Sequence, residues 1–257
     1  MTTIDLNCDM GELESLASGV QESLMAYITS ANVACGAHAG DEALMRLTLR
    51  QAQVHGATIG AHPGYPDREN FGRLDLEMPM TELEASVEAQ VRTLAGLARE
   101  VGVAVRYVKP HGALYNRAAW DLEMARAIAR AVTHAGSDLA LVGLAGSPAL
   151  TVWKEAGIRT LAEAFADRRY EADGSLCARR HAGALLEDPE VAAHQAVRIA
   201  TRQEVVAWDG SIVIIKADTL CIHGDTPGTA EIARCVRKRL EGAGVFVQSW
   251  HSGPGVG

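Results

Sequence analysis

The chain has 257 residues, 48% of them hydrophobic and 5% aromatic, which suits one α/β barrel domain with a core of small aliphatic side chains. A net charge of −8, with Arg237-Lys238-Arg239 as the only basic run, excludes a surface built to neutralise nucleic-acid phosphates. No apolar run approaches the roughly 20 residues of a membrane span, and the chain opens directly on a strand, so no signal peptide is expected.

In chain order, short apolar runs predict strands over 4–8, 30–34, 57–61, 104–108, 139–144, 159–162 and 219–222. Between them, apolar residues at three- and four-residue spacing predict helices over 43–55, 81–101, 122–135 and 189–201. Asp41, Thr81 with Glu84, and Asp121 supply helix starts, while Gly56, Gly102 and Gly136 supply left-handed stops. Two stretches break the rhythm: a long Gly/Pro/Asp-rich loop over 63–79 carrying Phe71-Gly72-Arg73, and an arginine-rich segment over 167–184. Residues 205–208 and 211–216 read as a hairpin turned tightly at Asp209-Gly210. Seven or eight βα units without a long linker imply a single β/α-barrel domain across 1–257, seven-stranded or irregular, with an open doubly wound sheet as the alternative.

Five cysteines, at 8, 35, 177, 221 and 235, include no Cys-x-x-Cys pair, which argues against a structural zinc knuckle. Cys8, Cys35 and Cys221 lie in or beside apolar strands and read as small buried hydrophobes, and free thiols point to a reducing, cytoplasmic setting.

The chemistry-bearing residues cluster where predicted strands give way to loops. Asp9 and Glu12 follow the first strand, His38 the second, His62 the third, Lys109 and His111 the fourth, and His223 with Asp225 the last. In a parallel barrel those ends share one face, the face where such folds act on substrates. Four of the nine histidines sit at these junctions, whereas His55, His134 and His194 fall in helices. A shared cleft holding so many titratable groups carries desolvation costs that only function explains. Asp9, His38 and His62 come from consecutive strands. They form either a divalent-metal set or a metal-free acid/base cluster in which Asp9 orients an imidazole; the metal-free version is preferred. Lys109 can stabilise developing negative charge. Asp225 or Thr226 could cap a following helix, and Gly224 and Gly228 could let backbone amides meet an anion. Neither a Walker-type loop nor a dinucleotide fingerprint is present.

Seven blocks carry a resemblance to a known family: 6–12 (LNCDMGE), 31–41 (ANVACGAHAGD), 60–67 (GAHPGYPD), 71–73 (FGR), 108–115 (VKPHGALY), 163–168 (EAFADR) and 222–228 (IHGDTPG). In these the chain resembles, nearly end to end, the LamB/YcsF family, the A subunit of bacterial ATP-dependent 5-oxoprolinase. The resemblance implies a barrel related to those of glycoside hydrolases and carbohydrate deacetylases. It also implies cleavage of 5-oxo-L-proline to L-glutamate coupled to ATP hydrolysis, with two other subunits of B and C type. Under it, Asp9, Glu12, His38, His62, Lys109 and His111 are expected to carry the chemistry. Asn7, Arg73, Tyr115, Arg168, His223 and Asp225 are expected to hold the substrate, an arginine fork taking its carboxylate. Two rival readings stand beside this one: a stand-alone metal-dependent amidohydrolase or deacetylase with Asp9, His38 and His62 as ligands, and a non-catalytic binding subunit.

Overall fold

The computed structural model describes residues 2–12, 19–226 and 228–252. Its strands are β1 (Thr3–Met10), β2 (Ser30–Ala34), β3 (Thr58–His62), β4 (Val105–Val108), β5 (Ala140–Leu144), β6 (Thr160–Phe165), β7 (Glu204–Val206), β8 (Ile212–Ile214), β9 (Thr219–Ile222) and β10 (Phe246–Val247). Its helices are α1 (Val20–Met25), α2 (Glu42–His55), α3 (Met80–Val101), α4 (Gly112–Ala118), α5 (Leu122–Ala135), α6 (Pro148–Glu155), α7 (Pro189–Arg202) and α8 (Thr229–Gly242).

Strands β1 to β6 and β9 pair in parallel in the order β1-β2-β3-β4-β5-β6-β9, and β9 pairs back onto β1. The sheet is therefore a closed seven-stranded barrel, which removes the open-sheet alternative. Closure leaves no unpaired edge along the barrel wall. β10 pairs with Thr3 and Ile4 at the opposite end from the strand tips. The hairpin β7–β8 stands outside the barrel as a separate antiparallel pair.

Strand alternation sorts the side chains. Leu6, Cys8 and Met10 of β1 face the helices in the main apolar core, whereas Asp5, Asn7 and Asp9 face the barrel axis. On the outside, α3 lays Leu83, Val87, Val91 and Leu94 on the sheet, all essentially buried. Each such burial stabilises the fold by about 1.5–3 kcal/mol. Inside, Tyr107, Ala140, Val142 and Leu161 form a small apolar cluster on one side. The other side is a polar column. At its foot Asp5 accepts from Ser30 Oγ at 2.6 Å and Thr219 Oγ1 at 2.5 Å. Above it Asn7 Nδ2 donates to Glu163 Oε1 at 2.9 Å, and Asn32 Nδ2 donates to Asn7 Oδ1 and Asp9 Oδ1, both at 2.7 Å. Buried polar groups need partners of this kind, so the column fixes Asp9 from below.

Helix starts follow the sequence at Asp41 and Asp121, whose carboxylates accept backbone N–H groups of α2 and α5. The expected start at Thr81 is wrong: Pro79 occupies the cap position, so Thr81 already lies in the first turn of α3. Gly56 and Gly102 end their helices left-handed, but Gly136 has φ 179°, an extended exit that any residue could adopt. The Asp209-Gly210 turn is wider than expected. Ala207 N–H reaches Ser211 O and Gly210 N–H reaches Ala207 O, a three-residue loop with Gly210 left-handed, in place of a two-residue one. Neither Thr226 nor Asp225 caps α8; Gly228 stands at that position. Among the described residues, no helix is long and apolar enough to cross a membrane.

Candidate active site

Because all seven barrel strands run the same way, their C-terminal tips form one mouth, and every sequence-chosen junction residue lies there. Asp9 and Glu12 leave β1, His38 follows β2, His62 ends β3, Lys109 and His111 follow β4, and His223 follows β9. All seven are buried or nearly so. A cleft of about 520 Å³ opens over them, lined by Asp9, His62, Lys109, His111, Tyr115 and His223 below and by Arg73, Arg168, Arg179 and Arg180 above.

Lys109 anchors the floor. Its ammonium lies 2.9 Å from Asp9 Oδ1, 3.0 Å from Glu163 Oε1 and 3.1 Å from Cys221 Sγ. Three N–H groups thus have three partners, and burial, which alone would neutralise the amine, is outweighed by the Asp9 carboxylate; its pKa is held well above the ordinary lysine value. Burial likewise opposes ionisation of Asp9, but His62 and Lys109 beside it hold its pKa well below the usual carboxylate range. Gly224 makes this packing possible, since a Cβ there would lie 2.4 Å from the Asp9 carbonyl oxygen.

Beside this pair the three histidines close on Glu12. His62 Nε2 is 3.5 Å from Asp9 Oδ2 and 3.0 Å from His111 Nδ1. Glu12 Oε1 lies 3.2 Å from His38 Nε2, 3.2 Å from His111 Nδ1 and 3.7 Å from His62 Nε2. The rings of His38 and His111 stack at 3.7 Å. The outer nitrogens of two rings are fixed by carbonyls: His62 Nδ1 is 2.7 Å from Lys109 O, and His111 Nε2 is 2.9 Å from Phe71 O. A carbonyl only accepts, so His62 carries a proton on Nδ1 and His111 one on Nε2; burial opposes a second proton on His62, but the Asp9 carboxylate beside Nε2 outweighs it and raises the His62 pKa. Burial lowers the His38 pKa to about 4 despite Glu12, so this ring is neutral and donates to the carboxylate. Glu12 is held below its ordinary value; burial opposes this, and the bonds from His111 and His38 outweigh it. Gly72, at φ 62°, brings the 63–79 loop so close that a Cβ would meet His38 at 2.8 Å.

Across the cleft His223 forms a dyad. Its Nδ1 lies 2.9 Å from Asp167 Oδ1, leaving Nε2 as the ring nitrogen available to the cleft. Asp167 is pulled below the ordinary aspartate value: burial pushes the other way, but the His223 charge and hydrogen bonds prevail. At the rim, Asp225 pairs with both Arg73 and Arg179, the latter at 3.1 Å. Arg168 is buried and donates through Nη2 to Cys177 O at 2.6 Å. Burial, then neighbouring Arg179, lowers its pKa to about 10. Tyr115 is buried near the Phe165 ring, and burial, then Glu163, pushes its phenol well up.

The sequence-predicted residues therefore gather, with two differences in detail. The expected metal trio Asp9, His38 and His62 does not converge as a trio: Asp9 Oδ2 lies 3.5 Å from His62 Nε2, but His38 turns its Nε2 to Glu12. The atoms that do converge, within 4.8 Å of one another, belong to Glu12, His38, His62 and His111. Two residues outside the expected set prove central: Glu163, which shares Lys109 with Asp9, and Asp167, which orients His223. Glu163 could have been found as a lone carboxylate inside the otherwise apolar run Leu161–Phe165, since a buried charge requires a partner.

The chain is similar along nearly its whole length to known proteins. The chain is 50% identical over 250 residues to the 5-oxoprolinase A subunit of Chloroflexus aggregans, covering 97% of this chain and 99% of that one. It is 46% identical over 248 residues to the protein of the same name from Acinetobacter baylyi, covering 96% and 98%. Among solved structures, the lactam utilization protein of Thermus thermophilus matches with a TM-score of 0.89 at 41% identity, over 96% of this chain and 100% of that one. The LamB/YcsF family pattern spans residues 4–253, and the chain belongs to that family.

Proposed function

We propose that this chain is the A subunit of an ATP-hydrolysing 5-oxoprolinase, opening the lactam of 5-oxo-L-proline to L-glutamate together with two further subunits of B and C type. The observation that carries the reading is the cleft itself: a buried carboxylate–histidine cluster and a separate Asp–His dyad face each other beneath a rim of arginines. A five-membered lactam is a resonance-stabilised, nearly unstrained amide, so its opening needs an activated nucleophile, stabilised oxyanion charge and a proton for the leaving nitrogen. Phosphorylation of the amide oxygen, with ATP as co-substrate of the complex, turns the ring carbon into a strong electrophile.

The roles follow from the contacts. Hydroxide is generated at the Glu12–His62–His111 cluster, where two facing ring nitrogens and the Glu12 carboxylate can take the proton that water gives up. It adds to the ring carbon, the C–N bond breaks with His223, held by Asp167, delivering a proton to the departing nitrogen, and a second water then hydrolyses the resulting acyl phosphate to L-glutamate and phosphate. Asp9 orients His62, and Lys109, with its three N–H groups already matched, positions Asp9 and balances its charge. Asn7 supports this pair from the barrel interior. Tyr115 shapes the cleft wall, while Arg73 and Arg179, gathered by Asp225, and the buried Arg168 take the substrate carboxylate and phosphoryl oxygens.

The test is glutamate release from 5-oxo-L-proline by the purified chain with its two partner subunits and ATP. Turnover that needs every component supports the reading. Turnover by the chain alone without ATP makes it a stand-alone amidohydrolase, and undiminished turnover when the chain is omitted makes it non-catalytic.

A further inference from the structure

We propose that Glu12, His62 and His111 form a binding site for one divalent cation of the zinc class, with His38 holding Glu12 in place. The starting point is the geometry of the donors. His62 donates from Nδ1 to Lys109 O and His111 donates from Nε2 to Phe71 O, so His62 Nε2 and His111 Nδ1 face each other at 3.0 Å, a gap that is filled by a shared proton or, with Glu12 beside it, by a cation. Two lone pairs cannot sit at that separation without something positive between them. Glu12 Oε1 adds a third electron-rich atom to the same point.

The charge balance points the same way. Asp9, Glu12 and Glu163 are three buried carboxyl groups; Lys109 serves Asp9 and Glu163, His62 serves Asp9, and Glu12 has only imidazoles beside it. Uncompensated charge of that kind is expensive in a protein interior. The spacing suits a small metal. The three donor–donor distances, 3.0, 3.2 and 3.7 Å, straddle the edge of about 3.3 Å that a tetrahedron with bonds near 2.0–2.1 Å requires. Two imidazoles and one carboxylate are a zinc-class donor set, and carbonyl acceptors on both outer ring nitrogens are the usual outer support of metal-bound histidines.

His38 completes the support. As a neutral ring it donates from Nε2 to Glu12 Oε1 at 3.2 Å, and its other nitrogen is buried with no hydrogen-bond partner among the described residues. Three ligands leave a fourth position, and His62 and His111 both line the cleft onto which it would open. An ion there lowers the pKa of a bound water toward neutrality, the nucleophile that lactam opening requires. The second group of possible donors, Asp9, Cys221 and His223, is unsuitable because the Lys109 ammonium already lies 2.9 Å from Asp9 and 3.1 Å from Cys221.

Metal binding is independent of the proposed reaction and is measured on the isolated chain. Untagged protein prepared without chelators is assayed for metal by mass spectrometry, then stripped and titrated with Co²⁺ while visible absorption is recorded. The expected result is about one ion per chain and visible cobalt bands without a thiolate charge-transfer band. Glu12→Gln and His111→Asn, each checked for folding by circular dichroism, should weaken Co²⁺ binding at least about 100-fold. His223→Asn should bind it as the wild type does. The proposal is overturned by wild-type protein that takes up no stoichiometric Co²⁺, by a thiolate band placing the ion on Cys221, or by unchanged binding in the Glu12 and His111 variants. The wild-type spectrum decides the matter even if a variant fails to fold. A chain that binds no metal yet supports lactam cleavage overturns this site alone; one that binds metal yet supports no cleavage overturns the functional reading alone.

Discussion

Replacing Lys109 with Met removes one ammonium while keeping most of the aliphatic volume, which isolates the electrostatic consequence. In the wild type that ammonium serves Asp9 at 2.9 Å and Glu163 at 3.0 Å, and the side chains of all three are nearly inaccessible. Removing one partner of such a buried pair typically costs about 3–5 kcal/mol, because the remaining charge stays desolvated. Asp9 borders the cleft and can recruit water, which favours the lower end, about 3 kcal/mol. Against a native stability of about 5–15 kcal/mol that is a large share. Urea unfolding followed by circular dichroism at pH 7 measures it. The pH dependence has a definite sign. With Lys109 gone, His62 is the main group left to offset the burial that opposes ionisation of Asp9, so the variant loses part of the stability that ionised Asp9 contributes at pH 7 and its gap to the wild type narrows as pH falls. Adding Glu163→Gln to Lys109→Met should return at least about 1 kcal/mol, since one orphaned charge is then neutral. A single variant within about 0.5 kcal/mol of wild type, or a double variant no more stable than the single, would show that Lys109 does not neutralise these carboxylates.

Other consequences follow from neighbouring contacts. Asp167→Asn removes a carboxylate whose folded pKa is depressed, and so removes stability that is present above about pH 4 and lost as pH falls through the folded value. The variant should be weaker at pH 7 by about 1–3 kcal/mol yet lose less between pH 4 and 2 than wild type; parallel urea midpoints across that range would count against this. Gly224→Ala should destabilise by about 1–3 kcal/mol, because its Cβ meets the Asp9 carbonyl at 2.4 Å, and a thermal melt reads this directly. Asp225→Ala releases Arg73 and Arg179 from their shared partner, and should raise KM for 5-oxo-L-proline more than it lowers kcat in the reconstituted assay. Equal loss in both would place those arginines at the reacting bond.

Much of the site was legible because its residues break a pattern. A histidine or aspartate within two residues of a glycine at the end of an apolar run, repeated at Asp9, His38, His62, His111 and His223, is hard to explain by turn chemistry, and each of these does reach the barrel mouth. The barrel strands were equally legible, since fully buried parallel strands read as continuous apolar runs. Barrel closure was not, because only the β9–β1 pairing decides it. Helices α4 and α6, of 7 and 8 residues, are too short to show a periodic face. The convergence on Glu12 in preference to Asp9 depends on His38 and His111 both turning to Glu12, and one ring proton each of His62 and His111 depends on the carbonyls of Lys109 and Phe71. Backbone carbonyl directions in a folded loop leave no trace in residue identity. Glu163 and Asp167 are different: both stood in a motif block, and the cost of burying a lone carboxylate would have singled them out.

Whether the residues gathered around Glu12, His62 and His111 open the ring is read most plainly from single-turnover conversion of 5-oxo-L-proline by the complete complex with ATP. Wild type is compared with Asp9→Asn and His111→Ala variants shown to be folded and assembled. The rate of ring opening should fall at least about 100-fold in each variant. Wild-type rates in both would remove these side chains from the reaction.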